Sequence, residues 1–344
     1  HALTQKGRGY LPAERHPARF HGTDPFVIDT GLPKNPRSVA NYTDVFSTVM
    51  CKLGQRDGKI VAITAAMPDG TGLKRFHNMY PDRFFDVGIA EEHAVTFAAG
   101  LAANGYRPAV AIYSTFLQRS YDNILHDVAL QHLPVVFLVD RAGLNNADGP
   151  THYGVFDVAF LSEVPELRIY TPITGTALRN AMNEAFRADV ACAIRYPNGC
   201  ESARVVREFY GNADPANVAV RNNYPVGGLK ARETLDAVIV THGRIVEEAL
   251  AATDRLAQEG IRVGILLLEQ AIRNGCGSGA RVSAEKALPR PLFGRGGANG
   301  RNGDVALGRD ARRARNAGER DAHSGTGAAL WLSGRGGADT PFHG

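Results

Sequence analysis

Residues 133–140 read LPVVFLVD, and this stretch decides the fold class. No polar residue interrupts the apolar run before Asp140, so a strand formed here would have both of its faces buried. Strands of that kind occur in parallel sheets that carry helices on both sides. The stretch therefore predicts an α/β protein in which strands and helices alternate along the chain.

The neighbouring segments alternate as this prediction requires. Five further apolar runs are predicted as strands: KIVAITAAM (59–67), RFFDVGIA (83–90), PAVAIYS (108–114), LRIYTP (167–172) and VACAIRYP (190–197). Apolar residues at helical spacing mark the segments between them: SVANYTDVFSTVMCKLG (38–54), AVTFAAGLAAN (94–104), TFLQRSYDNILHDVALQ (115–131) and TGTALRNAMNEAFRA (174–188). In the first helix the predicted buried stripe is Val39, Tyr42, Val45, Phe46 and Val49.

These elements predict a doubly wound parallel sheet over residues 37–200. Residues 1–36 are rich in Pro, Gly and charge, so they are predicted to be an extended connector. A polar linker at 201–230 precedes a new strand–helix–strand pattern at 231–270. That pattern predicts the start of a second α/β domain.

Residues 271–344 break the pattern. Gly, Ala and Arg occupy 40 of their 74 positions, and no apolar period persists, so this composition cannot bury a core. We expect this tail to have been read in the wrong frame. A genuine disordered Arg/Gly tail is the alternative.

Charge and cysteine usage exclude several classes of protein. The net charge is +4, but the tail alone holds eleven Arg and one Lys against four Asp and two Glu, so the rest of the chain offers no basic footprint for nucleic acid. No apolar run approaches the roughly 20 residues that cross a membrane, and no signal peptide is recognised. The four cysteines form no C-x-x-C pair, which argues against a disulfide framework or a metal site and indicates the reducing cytoplasm.

Ligands of open parallel sheets bind beyond the carboxyl ends of the strands, so the residues that follow each strand are the site candidates. Four strand ends in succession carry ionisable or aromatic groups, which favours a real site. They are Glu91, Glu92 and His93; Tyr113, Phe116 and Arg119; Arg141, Asp148 and His152; and Arg195. Tyr113 and Phe116 suit either the core or stacking on a flat ring.

The residue types narrow the chemistry of this edge. Arg141 and Arg195 suit a phosphate or a carboxylate, and the alternative for either is a salt bridge within the protein. His152 suits proton transfer near neutral pH, with a surface histidine as the alternative. An acid at a helix start is stabilising, which explains Glu92 and leaves Glu91 to be explained.

Four segments in this order resemble one family: IAEEHAVTFAAGLA (89–102), AIYSTFLQRSYDNILHDVALQ (111–131), LPVVFLVDRAG (133–143) and DGPTHYGVFDVAFL (148–161). They resemble the 1-deoxy-D-xylulose-5-phosphate synthases, thiamine-diphosphate enzymes of the transketolase group. The resemblance extends over about residues 1–270. It implies a cytoplasmic homodimer that decarboxylates pyruvate and condenses it with D-glyceraldehyde 3-phosphate. This is the first step of non-mevalonate isoprenoid biosynthesis and also supplies thiamine and pyridoxal precursors.

The same resemblance implies roles for individual residues. Glu91 looks like the family's catalytic glutamate that contacts the aminopyrimidine ring of the cofactor, and Ile89 is expected to contact the cofactor as well. Phe116 looks like the ring that stacks on that aminopyrimidine. Contacts to the phosphorylated aldehyde are implied for Tyr113, Arg141 and Arg195, and Arg119 is grouped with them without a role of its own. Asp148 and His152 look like acid–base groups near the reacting carbons.

The chain also departs from the family. It has no Gly-Asp-Gly motif, which in the family marks the N-terminal domain that binds the diphosphate through Mg²⁺, so we expect the Mg²⁺ ligands in a domain missing from this chain. The second α/β domain loses its pattern near Gln270. We therefore expect the chain to be a C-terminal fragment that binds thiamine diphosphate weakly and is inactive alone.

Two other interpretations stay open. One is another enzyme of the transketolase group, either a transketolase or the β component of a 2-oxo acid dehydrogenase. The other is a non-catalytic α/β fragment that persists as a dimerisation partner.

Overall fold

The computed structural model describes residues 1–17, 19–23, 25–144, 149–210, 225–226, 235–273 and 329–332. The chain divides into two compact units. The first unit draws on residues 1–222, 242–247 and 268–280, and the second on residues 223–241, 248–267 and 281–344. Each unit is described by itself below.

Helices and strands alternate along most of the described chain. The helices are α1 (Leu11–Arg15), α2 (Tyr42–Arg56), α3 (Lys74–Met79), α4 (Glu91–Ala103), α5 (Ser114–Leu117), α6 (Tyr121–Asn123), α7 (Asp157–Ser162), α8 (Gly175–Ala185), α9 (Ala203–Tyr210) and α10 (Val246–Gln258). The strands are β1 (Ile60–Thr64), β2 (Phe84–Asp86), β3 (Arg107–Tyr113), β4 (Val136–Asp140), β5 (Arg168–Tyr170), β6 (Cys192–Arg195), β7 (Pro225–Val226), β8 (Ala237–Thr241), β9 (Val263–Leu267), β10 (Gln270–Arg273) and β11 (Ala329–Leu332). Short 3₁₀ turns lie at Pro81–Arg83, Gln118–Ser120, Pro150–His152 and Gly243–Ile245, and a π-helical segment spans Ile124–Ala129.

The first unit is built on a seven-stranded sheet in the order β10-β5-β6-β4-β3-β1-β2. Its strands pair in parallel, except that β10 is antiparallel to β5. The central strand β4 is buried at all five positions, as its uninterrupted apolar sequence predicts. The predicted α/β fold with a parallel sheet is therefore confirmed.

Helices cover both faces of this sheet, because successive side chains of a strand point to opposite sides. In β3, Ala109 and Ala111 belong to one hydrophobic cluster, which includes Phe46 of α2 and Met182 of α8. The alternate residues of β3 belong to a second cluster on the other face, which includes Val95 of α4. This arrangement is the doubly wound form expected from the sequence.

The start of α2 differs from the prediction. Asn41 and Asp44 form a capping box: the Asn41 side chain accepts the Asp44 N–H at 2.8 Å, and the Asp44 carboxylate accepts the Asn41 N–H at 3.0 Å. The helix therefore begins at Tyr42. Val39 lies before it and is 66% exposed, so its placement in the buried stripe was wrong.

The second unit contains β8 and β9 as a parallel pair in the same small sheet as β7 and β11, which are both antiparallel to their neighbours. The strand, helix and strand of residues 234–270 lie where the pattern predicts them. Two short strands, β10 and β11, fall largely in the predicted tail. The other tail residues, 274–328 and 333–344, lie outside the described residues, so the frame-shift interpretation stays a prediction. Within the described ranges, no helix is both long and apolar enough to cross a bilayer.

Candidate active site

Three neighbouring strands bring their carboxyl ends to one edge of the sheet. Tyr113 at the end of β3 lies in register with Asp140 at the end of β4, and Arg195 at the end of β6 lies in register with Val139. Parallel strands end at the same edge, so the residues that follow them share one crevice. The predicted residues Tyr113, Arg141 and Arg195 are brought to this edge.

Glu91 is the first residue of α4, and its side chain is only 3% exposed. The turn that leads to it is held by Asp86, whose Oδ1 accepts the backbone N–H groups of Ala66 at 2.7 Å and Gly88 at 3.0 Å. Asp86 thus ties the end of β1 to the start of α4. The adjacent Glu92 is exposed, as expected of an acid that serves the helix start.

Arg119 is the partner of Glu91. Its Nη1 donates to Oε1 of Glu91 at 2.7 Å, and its Cζ lies 5.2 Å from the ring centroid of Phe116. The Arg119 side chain is 47% exposed, so the buried carboxylate is matched by a cation that solvent reaches. The sequence left Arg119 without a role, and the structure places it on the predicted catalytic carboxylate.

Three aromatic rings pack together beside this pair. The rings of Tyr113 and Phe116 are stacked, with centroids 5.9 Å apart and planes 16° apart. The His152 ring meets Phe116 edge-on at 5.3 Å and Tyr113 at 6.5 Å. Phe116 is only partly buried, so its ring retains surface for stacking on a ligand.

Arg141 follows β4 in the left-handed backbone conformation, with φ at +60°. Its N–H donates to Oδ1 of Asp140 at 2.6 Å, and its Nη1 donates to Oδ2 of Asp140 at 2.6 Å and to the Gly70 carbonyl at 2.8 Å. Its Cζ lies 4.0 Å from the ring centroid of Tyr113. A Cβ on residue 70 would lie 1.8 Å from the Tyr113 hydroxyl, so glycine is required there.

Asp140 is completely buried beneath this arginine. Burial raises the pKa of Asp140 to about 6, against the opposing effects of the Arg141 charge and of hydrogen bonds from Arg141 and Thr43. Thr43 Oγ1 lies 3.2 Å from the carboxylate. A carboxyl group whose pKa is raised by burial is more easily protonated than an ordinary aspartate.

Arg195 forms a buried, bidentate ion pair. Its Nε and Nη2 donate to the two oxygens of Asp157 at 3.0 and 3.1 Å. Its Nη1 lies 3.3 Å from Nδ1 of His242. Burial and the Arg195 charge lower the pKa of His242 to about 4, so that the imidazole is neutral and accepts this hydrogen bond. The structure thus shows the salt-bridge alternative for Arg195, and its contact to a phosphate stays a prediction.

Two glycines close the base of the loop that carries His152. The Gly143 N–H donates to the Gly154 carbonyl at 2.7 Å, and the Gly154 N–H donates to the Gly143 carbonyl at 2.9 Å. A Cβ on residue 154 would lie 2.3 Å from the carbonyl oxygen of Arg141. The base of the loop is therefore fixed directly against the arginine that follows β4.

Two other predicted site residues, Asp148 and Ile89, are not shown in contact with this group. Asp148 lies outside the described residues. Ile89 is 81% exposed in the turn before α4.

One continuous set of contacts joins Glu91, Arg119, Phe116, His152, Tyr113 and Arg141. Among the described residues, no group of three His, Cys, Asp or Glu side chains is placed to hold a metal ion.

Three residues of this edge were missed by sequence reasoning: Asp140, Asp157 and His242. Asp140 carried a signal, since it is the first polar residue after an apolar strand and directly precedes Arg141. Asp157 and His242 carried none, because they lie 38 and 47 positions from the arginine that they contact.

Comparison with known proteins agrees with this fold. Residues 38–200 match the family "Transketolase, pyrimidine binding domain". The chain therefore contains a pyrimidine-binding domain of the transketolase type. It is 49% identical over 268 residues to the 1-deoxy-D-xylulose-5-phosphate synthase of Syntrophotalea carbinolica, which covers 77% of this chain and 40% of that protein.

A second relative gives the same result. The chain is 47% identical over 268 residues to 1-deoxy-D-xylulose-5-phosphate synthase 1 of Geobacter metallireducens, covering 77% of this chain and 41% of the relative. The chain is thus related to part of the 1-deoxy-D-xylulose-5-phosphate synthases, and the resemblance of the four sequence segments is confirmed. It spans about two fifths of the length of the curated relatives that it matches.

Solved structures support the fold. A transketolase from Pichia stipitis, in complex with sedoheptulose 7-phosphate, matches with a TM-score of 0.58 and 18% identity, over 78% of this chain and 42% of that one. A split-gene transketolase, described as an inactive β4 tetramer, matches with a TM-score of 0.53 and 23% identity, over 67% of this chain and 71% of that one.

Proposed function

We propose that the chain is the pyrimidine-binding part of an enzyme that converts pyruvate and D-glyceraldehyde 3-phosphate into 1-deoxy-D-xylulose 5-phosphate and carbon dioxide. Thiamine diphosphate and Mg²⁺ are its cofactors. The observation that carries the proposal is the buried carboxylate of Glu91 at the start of α4, linked through Arg119 to the partly exposed ring of Phe116. The names of the relatives at 47–49% identity support the choice of substrates.

The described residues fit the pyrimidine end of this cofactor. Glu91 provides a carboxyl group for a ring nitrogen, and Phe116 provides a flat surface for the ring. We propose that the contacts to the metal and the diphosphate come from another part of the enzyme. When bound, thiamine diphosphate supplies a nucleophilic carbon and an electron sink for decarboxylation.

The protein's own groups then bind the substrates and move protons. Glu91 exchanges a proton with the pyrimidine nitrogen in a site that excludes most water. Arg141, Arg195 and Tyr113 hold the phosphate of the aldehyde through charged and hydroxyl donors. His152, together with Asp148, exchanges protons with oxygen atoms on the reacting carbons.

A second function, as a non-catalytic assembly partner, is favoured by one observation. A split-gene transketolase of similar fold is described as an inactive β4 tetramer. On this basis we propose that the isolated chain self-associates without activity, and the family resemblance favours a homodimer. Free thiols at Cys51, Cys192 and Cys200 support a cytoplasmic location. Another enzyme of the transketolase group is less well supported, because the transketolase structures share only 18–23% identity with the chain.

Calorimetric titration of thiamine diphosphate with Mg²⁺ into the full chain tests the proposal. Glu91→Gln should weaken binding by about tenfold or more, since it removes a charge-assisted hydrogen bond. Glu92→Gln is the matched control: it changes the adjacent but exposed carboxylate and should bind like the unmodified chain. Equal binding by both variants would contradict the assignment of Glu91. No binding by any of the three chains would favour the assembly partner, which the mass in solution would then test.

A further inference from the structure

Asp140 is a buried carboxylate that no step of the proposed reaction uses. Its two oxygens accept the backbone N–H and the Nη1 of Arg141, each at 2.6 Å. None of the Asp140 side chain is exposed, whereas 13% of the Arg141 side chain is. Asp140 therefore lies behind the arginine, on the side away from solvent.

The charges of this pair balance only while no anion is present. A phosphate ester that binds Arg141 brings up to two further negative charges close to Asp140, in a place where little water is available to screen them. One guanidinium cannot compensate a buried carboxylate and a dianion together. The carboxyl group is the one that can be neutralised, because burial already holds its pKa at about 6.

We propose that Asp140 takes up a proton from solvent when a dianionic phosphate ester binds to Arg141. The inference rests on the proposed function, which assigns that phosphate to Arg141. In the empty site the ionised Asp140 holds the guanidinium in position. In the occupied site the neutral Asp140 leaves the full charge of the arginine to the ligand. Asp140 is thus a positioning residue that acts through Arg141.

The other groups around Asp140 keep their charge during this exchange. Arg141 stays protonated. Tyr196 is fully buried, and burial together with the Asp140 charge raises its pKa well above its usual value, so its phenol stays neutral. Thr43 does not titrate. The His152 ring contacts the ring of Tyr113, and His152 is unchanged in all the variants that are compared below.

Sulfate is the appropriate probe, because it remains a dianion throughout the neutral range and adds no protons of its own. We would measure its affinity for the full chain by calorimetry between about pH 6.5 and 8. If one proton is taken up, the affinity should fall by about tenfold per pH unit as the pH rises. Titrations in buffers of different ionisation enthalpy should show the uptake of close to one proton.

Asp140→Asn supplies the decisive comparison. The amide keeps an oxygen for the Arg141 N–H, and the Gly70 carbonyl and the Tyr113 ring still hold the guanidinium, so the variant should fold. Its affinity for sulfate should not depend on pH in this range, and its proton uptake should be lost. Asp122→Asn, which changes an exposed carboxylate, should behave like the unmodified chain. Arg141→Gln should lose the pH-dependent binding.

Difference infrared spectroscopy gives a second readout that needs no variant to bind. Adding sulfate to the unmodified chain should produce the C=O band of a protonated carboxylic acid, and Asp140→Asn should lack it. The proposal is overturned if Asp140→Asn keeps the same pH dependence, if no acid band forms, or if the unmodified chain binds no sulfate. Failure of the proposed function would be seen in a different measurement, because thiamine diphosphate binding would then not depend on Glu91.

Discussion

Nη1 of Arg119 lies 2.7 Å from Oε1 of Glu91, so a buried carboxylate at the start of α4 is paired with a cation from the segment that follows β3. A carboxylate that is only 3% exposed requires such compensation. A pyrimidine ring that binds Glu91 must therefore share the carboxylate with Arg119 or displace it. Arg119 therefore contacts the predicted catalytic carboxylate directly, and its grouping with the contacts to the aldehyde stays a prediction.

Arg119→Met should lower the free energy of unfolding by about 1–3 kcal/mol, because it leaves a buried acceptor without its donor. Glu91→Gln in the same chain should restore most of that loss, since the amide carries no charge. Urea denaturation of both single variants and the double variant measures the coupling. Strictly additive losses would show that the two side chains do not interact.

Gly70→Ala should destabilise the first unit by about 1–3 kcal/mol, because the new methyl group overlaps the Tyr113 hydroxyl and must push it aside. Thermal unfolding measures the effect. Tyr113→Phe in the same chain should recover part of it, since the overlapping oxygen is gone. Gly100→Ala is the control: it lies in α4 with open space around it and should gain up to about 1 kcal/mol. If Gly70→Ala leaves the thermal stability unchanged, residue 70 does not pack closely against Tyr113.

Arg195→Met should cost about 3–5 kcal/mol of stability, because it leaves the buried carboxyl group of Asp157 without its cation. The double variant Asp157→Leu, Arg195→Met should recover most of this loss, since neither charge remains. Chemical denaturation distinguishes the two cases. If Arg195→Met keeps full stability and weakens only anion binding, the arginine serves a ligand and not the fold.

His242 should make the first unit less stable in mild acid. Its pKa is about 4 in the folded chain, against an ordinary value of 6.5, so the unfolded chain binds the proton first and stability falls as the pH decreases from 6.5 to 4. The contribution amounts to about 2 kcal/mol between pH 7 and 5. Asp140 contributes a pH dependence of stability with the opposite sign, since its raised pKa favours the folded state at low pH.

His242→Asn isolates the histidine from that opposing effect. The Asn Oδ1 can accept the hydrogen bond of Arg195 in place of Nδ1 and does not titrate. Urea unfolding at both pH values should therefore show a loss of stability on acidification that is smaller by about 2 kcal/mol than in the unmodified chain. An unchanged loss would mean that the pKa of His242 does not differ between the folded and the unfolded chain.

The sequence predicted those parts of the site that depend on local position. Tyr113, Arg141 and Arg195 each stand at or directly after the end of an apolar strand, so their shared edge followed from the fold class alone. The partners of these residues depend on how distant segments pack. No sequence feature near Arg195 predicts its contacts with Asp157 and His242. These two contacts decide whether Arg195 forms a salt bridge within the protein or binds a ligand.

The same limit applies to the helices. Residues 115–131 show helical spacing, yet the structure divides them into α5, a 3₁₀ turn, α6 and a π-helical segment. The 3₁₀ and π forms each differ from the α-helix by less than one residue per turn, and a short apolar pattern cannot separate them. The break matters for the site, because the 3₁₀ turn carries Arg119 towards Glu91.

The hydrogen bonds between Gly143 and Gly154 close the base of the intervening segment, which makes that segment a candidate for exchange as a unit. The two ends of the segment are bonded to each other, and the Gly154 end packs against the Arg141 carbonyl, so the base of the segment is anchored beside the arginine. Under the proposed function, the segment that carries the acid–base residues is therefore attached directly beside the arginine proposed to hold the phosphate. Exchanging residues 144–153 for those of a related enzyme is the corresponding engineering route.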